Sequence, residues 1–363
     1  MKANRFLKMF PVPKSLQMAS AGIDISDRSL KFFQLIEKNG QLIDSQHEEI
    51  VLPAGIIEGG RIIQIDKLKP IISNLAKKYR VARAIVSLPE DRAYTLQLTL
   101  PKMKTSELRG AIAFQLEEYV PLPAEEIVFD YKLLDGRENK NSLMVVVSAM
   151  PKTIITEYVE VFAGAGIIPV AFEIEAQSMS RSLLLRHDSK LALIVDIGRV
   201  HVGFFIARHG EVLFASIANN IGGDDISAII SRQLNISIEE AEKLKNEIGL
   251  NRSEDNKESF FAAIPVITSI KDEINQRCDY WRDRQEYNPR TERIARIVLC
   301  GGQSTLPGLL DFFQSYFDIP VELGNPWLNF YPSELGVPNL SLKESLRYAT
   351  ALGLSLRSFE EIF

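Results

Sequence analysis

Two stretches of this chain repeat one another, and that repeat constrains the fold more than any other feature of the sequence. From Asp24 the chain reads DISDRSLKFFQLIEKNGQLID, and from Asp196 it reads DIGRVHVGFFIARHGEVLF, with a Phe-Phe pair eight residues after the aspartate in both. Apolar, strand-favouring residues flank a glycine-marked turn in each copy, Asn39-Gly40 and His209-Gly210, as a tight hairpin with positive φ requires. Each copy therefore reads as a strand ending in an aspartate, a tight turn, a second strand, a hairpin and a third strand. The copies lie too far apart for a solenoid, whose repeats run to about 20–50 residues. They predict two homologous halves facing one another across a cleft.

The chain is long enough to give each half a core: 363 residues, of which 46% are hydrophobic and 25% charged. That composition excludes disorder as the main state. No apolar run approaches the ~20 residues of a membrane-spanning helix, and Leu143 to Met150 has the length of a buried strand. Two cysteines and four scattered histidines form no cluster with ligand spacing, which argues against a disulfide framework or a structural zinc and fits a reducing, cytoplasmic compartment. A net charge of −5 argues against a nucleic-acid partner bound by phosphate neutralisation. Residues 1–20 carry Lys2, Arg5, Lys8 and Lys14 but no continuous apolar stretch, so they read as a mobile N-terminal arm rather than a signal peptide.

Between the copies lies a segment with its own pattern. Tyr94, Leu96, Leu98 and Leu100 alternate with polar residues up to Pro101. Ser106 is placed to cap a helix running to Tyr119, with Leu108, Ala111, Ile112, Leu116 and Tyr119 on one stripe. Ile127, Phe129, Tyr131 and Leu133 predict a second alternating strand, Asp135-Gly136 a turn, and Leu143 to Met150 a third strand. Residues 83–152 thus form a compact α+β insert within a first domain of 21–82 and 153–192. The second domain takes 193–224 and 294–363 around a helical insert at 225–293, with helices expected from about Leu306 to Phe317 and from Leu342 to about Ser358. Trp281 and Trp327 read as core or interface aromatics.

An aspartate at the end of a buried strand, followed by a turn with free backbone N–H groups, suits a metal-bound polyphosphate. The carboxylate orders waters on Mg²⁺ and the amides take phosphate oxygens. Two such turns from opposing domains could clamp one nucleotide. With these segments in view, the sequence resembles the actin-like ATPase superfamily in its FtsA-like branch. GIDISDRSLKFFQL at 22–35 looks like a first phosphate loop, IEAQSMSRSLL at 174–184 like the connecting helix, and IVDIGRVHVGFF at 194–205 like a second phosphate loop. AEKLKNEIG at 241–249 looks like the purine-side helix and VLCGGQSTLPGLLDFF at 298–313 like the adenosine loop. Within the superfamily, residues 87–131 resemble the insert of the PilM family of cytoplasmic type IV pilus assembly proteins. The fold implied is α/β: a duplicated actin-like ATPase fold, two domains around a nucleotide cleft, with a small α+β insert in the first domain.

The resemblance assigns roles residue by residue. Asp24 and Asp196 would hold hydrated Mg²⁺ between the loops, with Ser26, Ser29, Lys31 and Gly198 near the phosphates of ATP or ADP. Glu175 would orient an attacking water. Glu242 and Lys245, on one helical face, would approach ribose and purine, while Gly222, Gly223, Gly301 and Gly302 let backbone come close to the nucleotide. Three departures stand out: Ser26-Asp27 replaces a small pair and sets a carboxylate near the phosphates, Arg199 and His201 replace small or hydroxyl residues, and Ala176 replaces a proline. These changes predict nucleotide binding with slow or absent hydrolysis. The family further implies a peripheral position on the cytoplasmic face of the inner membrane and binding of the N-terminal cytoplasmic peptide of the inner-membrane protein PilN within the pilus assembly complex. A groove between the insert and the first domain would receive that peptide, with Arg92, Tyr94 and helix 106–119 as candidates. Two other functions are compatible with the superfamily, an FtsA-like membrane-associated filament and a small-molecule kinase. The ending RSFEEIF, with Glu360 and Glu361, weighs against direct anchoring by a basic tail, and no sugar-kinase signature stands out.

Overall fold

The structure is a computed structural model that describes residues 20–38, 41–134, 142–208, 210–251, 257–287, 292–330, 338 and 340–359. The expected N-terminal arm through residue 19, the Asn39-Gly40 and Asp135-Gly136 turns, His209 and the terminal Glu360 and Glu361 lie outside the described residues.

In chain order the first half contains β1 (Ala21–Ile25), β2 (Ser29–Lys38), β3 (Gln41–Val51), the short hairpin β4 (Ile57–Glu58) and β5 (Arg61–Ile62), α1 (Ile65–Tyr79) and β6 (Arg83–Leu88). The insert follows as β7 (Tyr94–Pro101), α2 (Thr105–Tyr119), β8 (Ile127–Leu133) and β9 (Ser142–Pro151). Then come α3 (Lys152–Gly164), β10 (Ile168–Ile174) and α4 (Glu175–Leu183). The second half contains β11 (Leu191–Ile197), β12 (His201–Arg208), β13 (Glu211–Asn219), α5 (Gly223–Leu234), α6 (Ile238–Ile248) and α7 (Lys257–Tyr287). It ends with β14 (Ile294–Cys300), α8 (Leu309–Tyr316), β15 (Val321–Leu323), α9 (Leu342–Ser345) and α10 (Ala349–Arg357).

The repeat becomes two five-stranded sheets of one topology, ordered β3-β2-β1-β6-β10 and β13-β12-β11-β14-β15. In each, three antiparallel strands run from the hairpins and two parallel strands complete the sheet. Successive side chains on a strand point to opposite faces, so each Phe-Phe pair pins both faces at once. Phe32 packs with α1 and α3, and Phe204 packs with α5, α7 and α8. Phe33 and Phe205 face the other way. There the helices change sides: α4, which follows the first sheet, covers Phe205 of the second, while α10, which follows the second, covers Phe33 of the first. Two glycines let these helices close up. A Cβ on Gly353 would fall 1.9 Å from the Ser178 carbonyl oxygen, and one on Gly22 would fall 1.9 Å from that of Ala351.

Local chemistry moves three predicted boundaries. Helix α2 begins at Thr105, with the Lys104 N–H donating to Glu107 Oε2 at 3.2 Å, so Ser106 lies inside the first turn rather than capping it. Helix α8 begins at Leu309 because Gly308, at φ 76°, occupies the capping position. The expected last helix divides into α9, a 3₁₀ turn and α10. The insert sheet has β9 between β7 and β8, packed on the buried Leu108, Ile112 and Leu116 of α2.

Candidate functional site

The two repeat turns border one cleft of about 480 Å³ between the halves. Asp24 is the penultimate residue of β1, and its Oδ1 accepts from Ser87 Oγ at 2.9 Å. Lys31, its cross-strand neighbour, lies 3.4 Å from Oδ2. Asp196 is the penultimate residue of β11, where the corresponding cross-strand neighbour is Gly203, so one ammonium group serves both turns. Glu175 opens α4 below them. Asp24, Asp196 and Glu175 are all at least nine-tenths buried, with exposures of 5%, 9% and 7%.

Three buried carboxylates around one lysine are short of positive charge. Burial, then the charges of Asp24, Asp196, Glu90 and Asp91, push the Glu175 carboxyl well above its ordinary range. Asp196 also rises, through burial and Asp24, although His201 and Lys31 pull it down. Lys31 loses charge stability on burial, but Asp24, Glu49, Asp196 and Glu175 together hold its ammonium above the ordinary value. A hard cation with oxygen ligands would relieve this imbalance. Among the described residues no three His, Cys, Asp or Glu side chains converge as ligands. The donor set therefore fits a hydrated cation carried in with an anionic ligand better than a wholly protein-bound metal.

The turns place the remaining predicted residues unevenly. The Ser26 N–H donates to Ser29 O at 2.9 Å, and the two hydroxyls are 3.2 Å apart. The Gly198 N–H donates to His201 O at 3.1 Å, closing the second turn. Gly301 lines the cleft at φ 86°, where a Cβ would lie 2.2 Å from Asp196 Oδ1. Gly302 beside it has nothing within 4 Å of a Cβ position. Gly222 and Gly223 stand behind the second turn instead: the Gly223 N–H donates to Gly198 O at 3.0 Å, and Cβ atoms there would meet Arg199 O at 2.3 Å and the Gln303 side chain at 2.4 Å.

Glu242 reaches the cleft, but Lys245 does not line it. Its Nζ donates to Gly223 O at 3.0 Å, and burial pushes its pKa down to about 8. The cleft neighbour of Glu242 on α6 is Asn246, one turn on, which the sequence reading missed although both spacings share a helical face. Asp27 lines the cleft, yet its carboxylate accepts from Gly59 and Gly60 N–H groups at 2.9 and 3.1 Å, so its charge is engaged on the β4–β5 turn. His201 Nδ1 stands 3.6 Å from Asp91 Oδ2 across the halves. Also missed were Arg28, Glu49, Arg347 and Thr350 on the cleft wall; only Arg28, inside a repeat turn, had a local signal.

A second cavity, about 530 Å³, lies beside the insert. It runs between β8 and β10, both edge strands, with α4 and β13 completing it. Val128, Tyr131, Phe172 and Ile174 give it an apolar lining, and Lys132, Glu173, Arg181 and Glu211 give it charge. Arg92, Tyr94 and α2 are not part of its lining. Arg92 Nε instead donates to Gly59 O at 2.8 Å, and Tyr94 packs against the insert core.

Comparison with known proteins places this geometry. Residues 22–359 match the family model described as Type IV pilus assembly protein PilM. Among curated proteins, cell division protein FtsA of Enterococcus hirae is 24% identical over 204 residues, covering 52% of this chain and 45% of that protein, so the match spans less than half of the relative's length. Among solved structures, a chain of the PilM-PilN type IV pilus biogenesis complex superposes with a TM-score of 0.80 at 21% identity, covering 95% of this chain and 99% of that one. MreB5 of Spiroplasma citri bound to ADP superposes with a TM-score of 0.53 at 12% identity, covering 94% and 97%. At these identities the structural likeness is one of fold, and the fold is the actin-like ATPase fold.

Proposed function

The chain belongs to the PilM family of type IV pilus assembly proteins, and from that membership we propose that it is a nucleotide-gated adaptor of the pilus machinery. In this reading ATP or ADP with Mg²⁺ lies between the two turns, with Asp24 and Asp196 ordering the waters of the metal and Lys31, Ser26, Ser29 and Gly198 facing the phosphates. Glu242 and Gly301-Gly302 border the nucleoside. The metal supplies charge neutralisation for the phosphates. Lys245, Gly222 and Gly223 act through the shape of the second turn, since they stand behind it.

The partner is the N-terminal cytoplasmic peptide of a PilN-like inner-membrane protein, bound in the β8–β10 groove between the first domain and the insert, which begins after β6 because residues 83–88 form a strand of the first sheet. Two edge strands offer backbone groups to an extended peptide, with Phe129 O and Phe172 O held by Arg109 and Arg357 at 3.4 Å, and the apolar lining takes alternate side chains. Among the described residues no helix is long and apolar enough to cross a membrane. Attachment to the cytoplasmic face of the inner membrane then comes from the partner. Hydrolysis is slow or absent, because the Ser26 and Ser29 hydroxyls are engaged with one another and the second turn carries Arg199 and His201 in place of small or hydroxyl residues.

The observation that carries this reading is that one helix walls both cavities. Glu175 and Met179 of α4 face the cleft, while Gln177 and Arg181 face the groove. Calorimetric titration with Mg-ATP, alongside Asp24→Ala and Asp196→Ala and with phosphate release followed in the same samples, tests the cleft. Saturation at one site per chain that both variants lose is the expected result. A PilN-type N-terminal peptide retained neither with nor without nucleotide would remove the adaptor role.

A further inference from the structure

Each of the two turns carries an arginine into the cleft, Arg28 between β1 and β2 and Arg199 between β11 and β12. One carboxylate holds both. Asp224, in the first turn of α5, accepts from Arg28 Nε on Oδ2 at 3.1 Å and from Arg199 Nε on Oδ1 at 3.0 Å. Arg199 Nη2 also donates to Glu242 Oε2 at 3.3 Å. The result is a charged bridge from the first half to the second across the cleft.

Asp224 is the fixed member of this bridge. Its backbone N–H donates to Arg199 O at 2.8 Å, and a carboxylate in the first turn of a helix is favoured by the helix dipole. The arginines are the movable members, with side chains 37% and 40% exposed on long, flexible stems. Exposed ion pairs of this kind are weak. The turns are otherwise poor in anion ligands: the Ser26 and Ser29 hydroxyls are engaged with one another, and the second turn, Gly198 to Val200, has no hydroxyl residue.

Resting on the nucleotide site proposed above, we propose that Arg28 and Arg199 are its principal phosphate-binding side chains, one from each half, and that Asp224 holds them until a polyphosphate takes them. A guanidinium presents paired N–H groups that match two phosphate oxygens, and a polyphosphate offers more charge than one carboxylate. Binding exchanges a carboxylate bridge between the halves for a phosphate bridge. The gain grows with the charge of the ligand, which ranks a nucleoside triphosphate above a diphosphate and leaves a nucleoside without phosphates indifferent to Arg28.

The test titrates the full chain and its variants with Mg-ATP, Mg-ADP and adenosine. Arg28→Ala and Arg199→Ala should each weaken Mg-ATP about tenfold or more, as expected for loss of a charged hydrogen-bond donor, and Arg28→Ala should leave adenosine affinity unchanged. Arg28→Lys and Arg199→Lys, which keep charge but lose the fork, should fall between these and the unmutated protein. Asp224→Asn should tighten Mg-ATP severalfold, and saturation seen only in that variant would also support the holding role. Equal Mg-ATP affinity in the unmutated protein and both alanine variants would overturn the inference while leaving the nucleotide site standing. Absence of saturation by every ligand, in the unmutated protein and in Asp224→Asn, would overturn the nucleotide site and the inference with it.

Discussion

Gly301 and Gly302 are adjacent, and the structure separates them sharply. Gly301 combines φ 86° with a Cβ position 2.2 Å from Asp196 Oδ1, whereas Gly302 has open space around it. Gly301→Ala should therefore lower stability by about 1–3 kcal/mol through backbone strain alone and displace Asp196, weakening Mg-ATP binding. Gly302→Ala should change the unfolding midpoint little, so thermal melts of both variants with a Mg-ATP titration decide the matter. The sequence presented these residues as one Gly-Gly turn, because only the fold brings Asp196 beside the first of them. Glu90 had no signal at all. It is buried, accepts from the Ala176 N–H at 3.1 Å, and is pushed up to about 7 by burial, with Asp91 adding to the rise and the Ala176 bond opposing it. A carboxyl with a raised folded value contributes its stability in full below the unfolded value of 4.5 and loses it as pH rises through about 7. That loss is about 3 kcal/mol over the interval. Glu90→Gln keeps an acceptor for Ala176 and removes the titration, so its urea midpoint should fall less than that of the unmutated protein between about pH 5 and pH 8. Parallel decline in the two proteins would show that Glu90 is not the group responsible.

At the scale of elements, what was legible follows the range of the interactions. Each Phe-Phe pair and its glycine-marked hairpin are local signals, and both became matching strands in sheets of one topology. The alternation in β7 and β8 is equally local and also formed strands. Contacts between distant segments were not legible. Glu242, Lys245 and Asn246 share one helical face in sequence, but only packing against Gly223 decides that Lys245 turns away from the cleft. The exchange of α4 and α10 between the sheets has the same origin. A glycine inside a helix reads as a weakness of about 1 kcal/mol relative to alanine, yet at Gly353 it is what allows α10 to lie against the backbone of α4. Gly353→Ala should consequently destabilise rather than stabilise, by several kcal/mol as overpacking and helix displacement require, and should lower the melting temperature. A variant as stable as the unmutated protein would show that the two helices separate without cost.

At the scale of the whole molecule, α4 cannot move for one cavity without moving for the other. Arg181 holds both oxygens of Glu173, at 2.6 and 2.7 Å, and donates to Gly353 O at 3.1 Å, which ties the helix to the end of β10 and to α10. Glu90 ties its first turn to the junction of β6 and the insert. A ligand that shifts Glu175 in the cleft therefore carries Gln177 and Arg181 in the groove wall with it. If nucleotide and peptide favour different positions of α4, each must alter the affinity of the other by the same factor. Couplings of about 1–3 kcal/mol, or about 5–150-fold, are usual for such linked sites. Peptide affinity should accordingly change by a factor in that range at saturating Mg-ATP, nucleotide affinity should change equally at saturating peptide, and Asp24→Ala should abolish the response while leaving nucleotide-free peptide binding in place. Fluorescence titrations around this cycle measure all four legs. Identical peptide affinity with and without bound Mg-ATP would mean that the two walls of α4 are structurally joined but energetically independent, and the protein would then be a passive scaffold with a nucleotide in its frame.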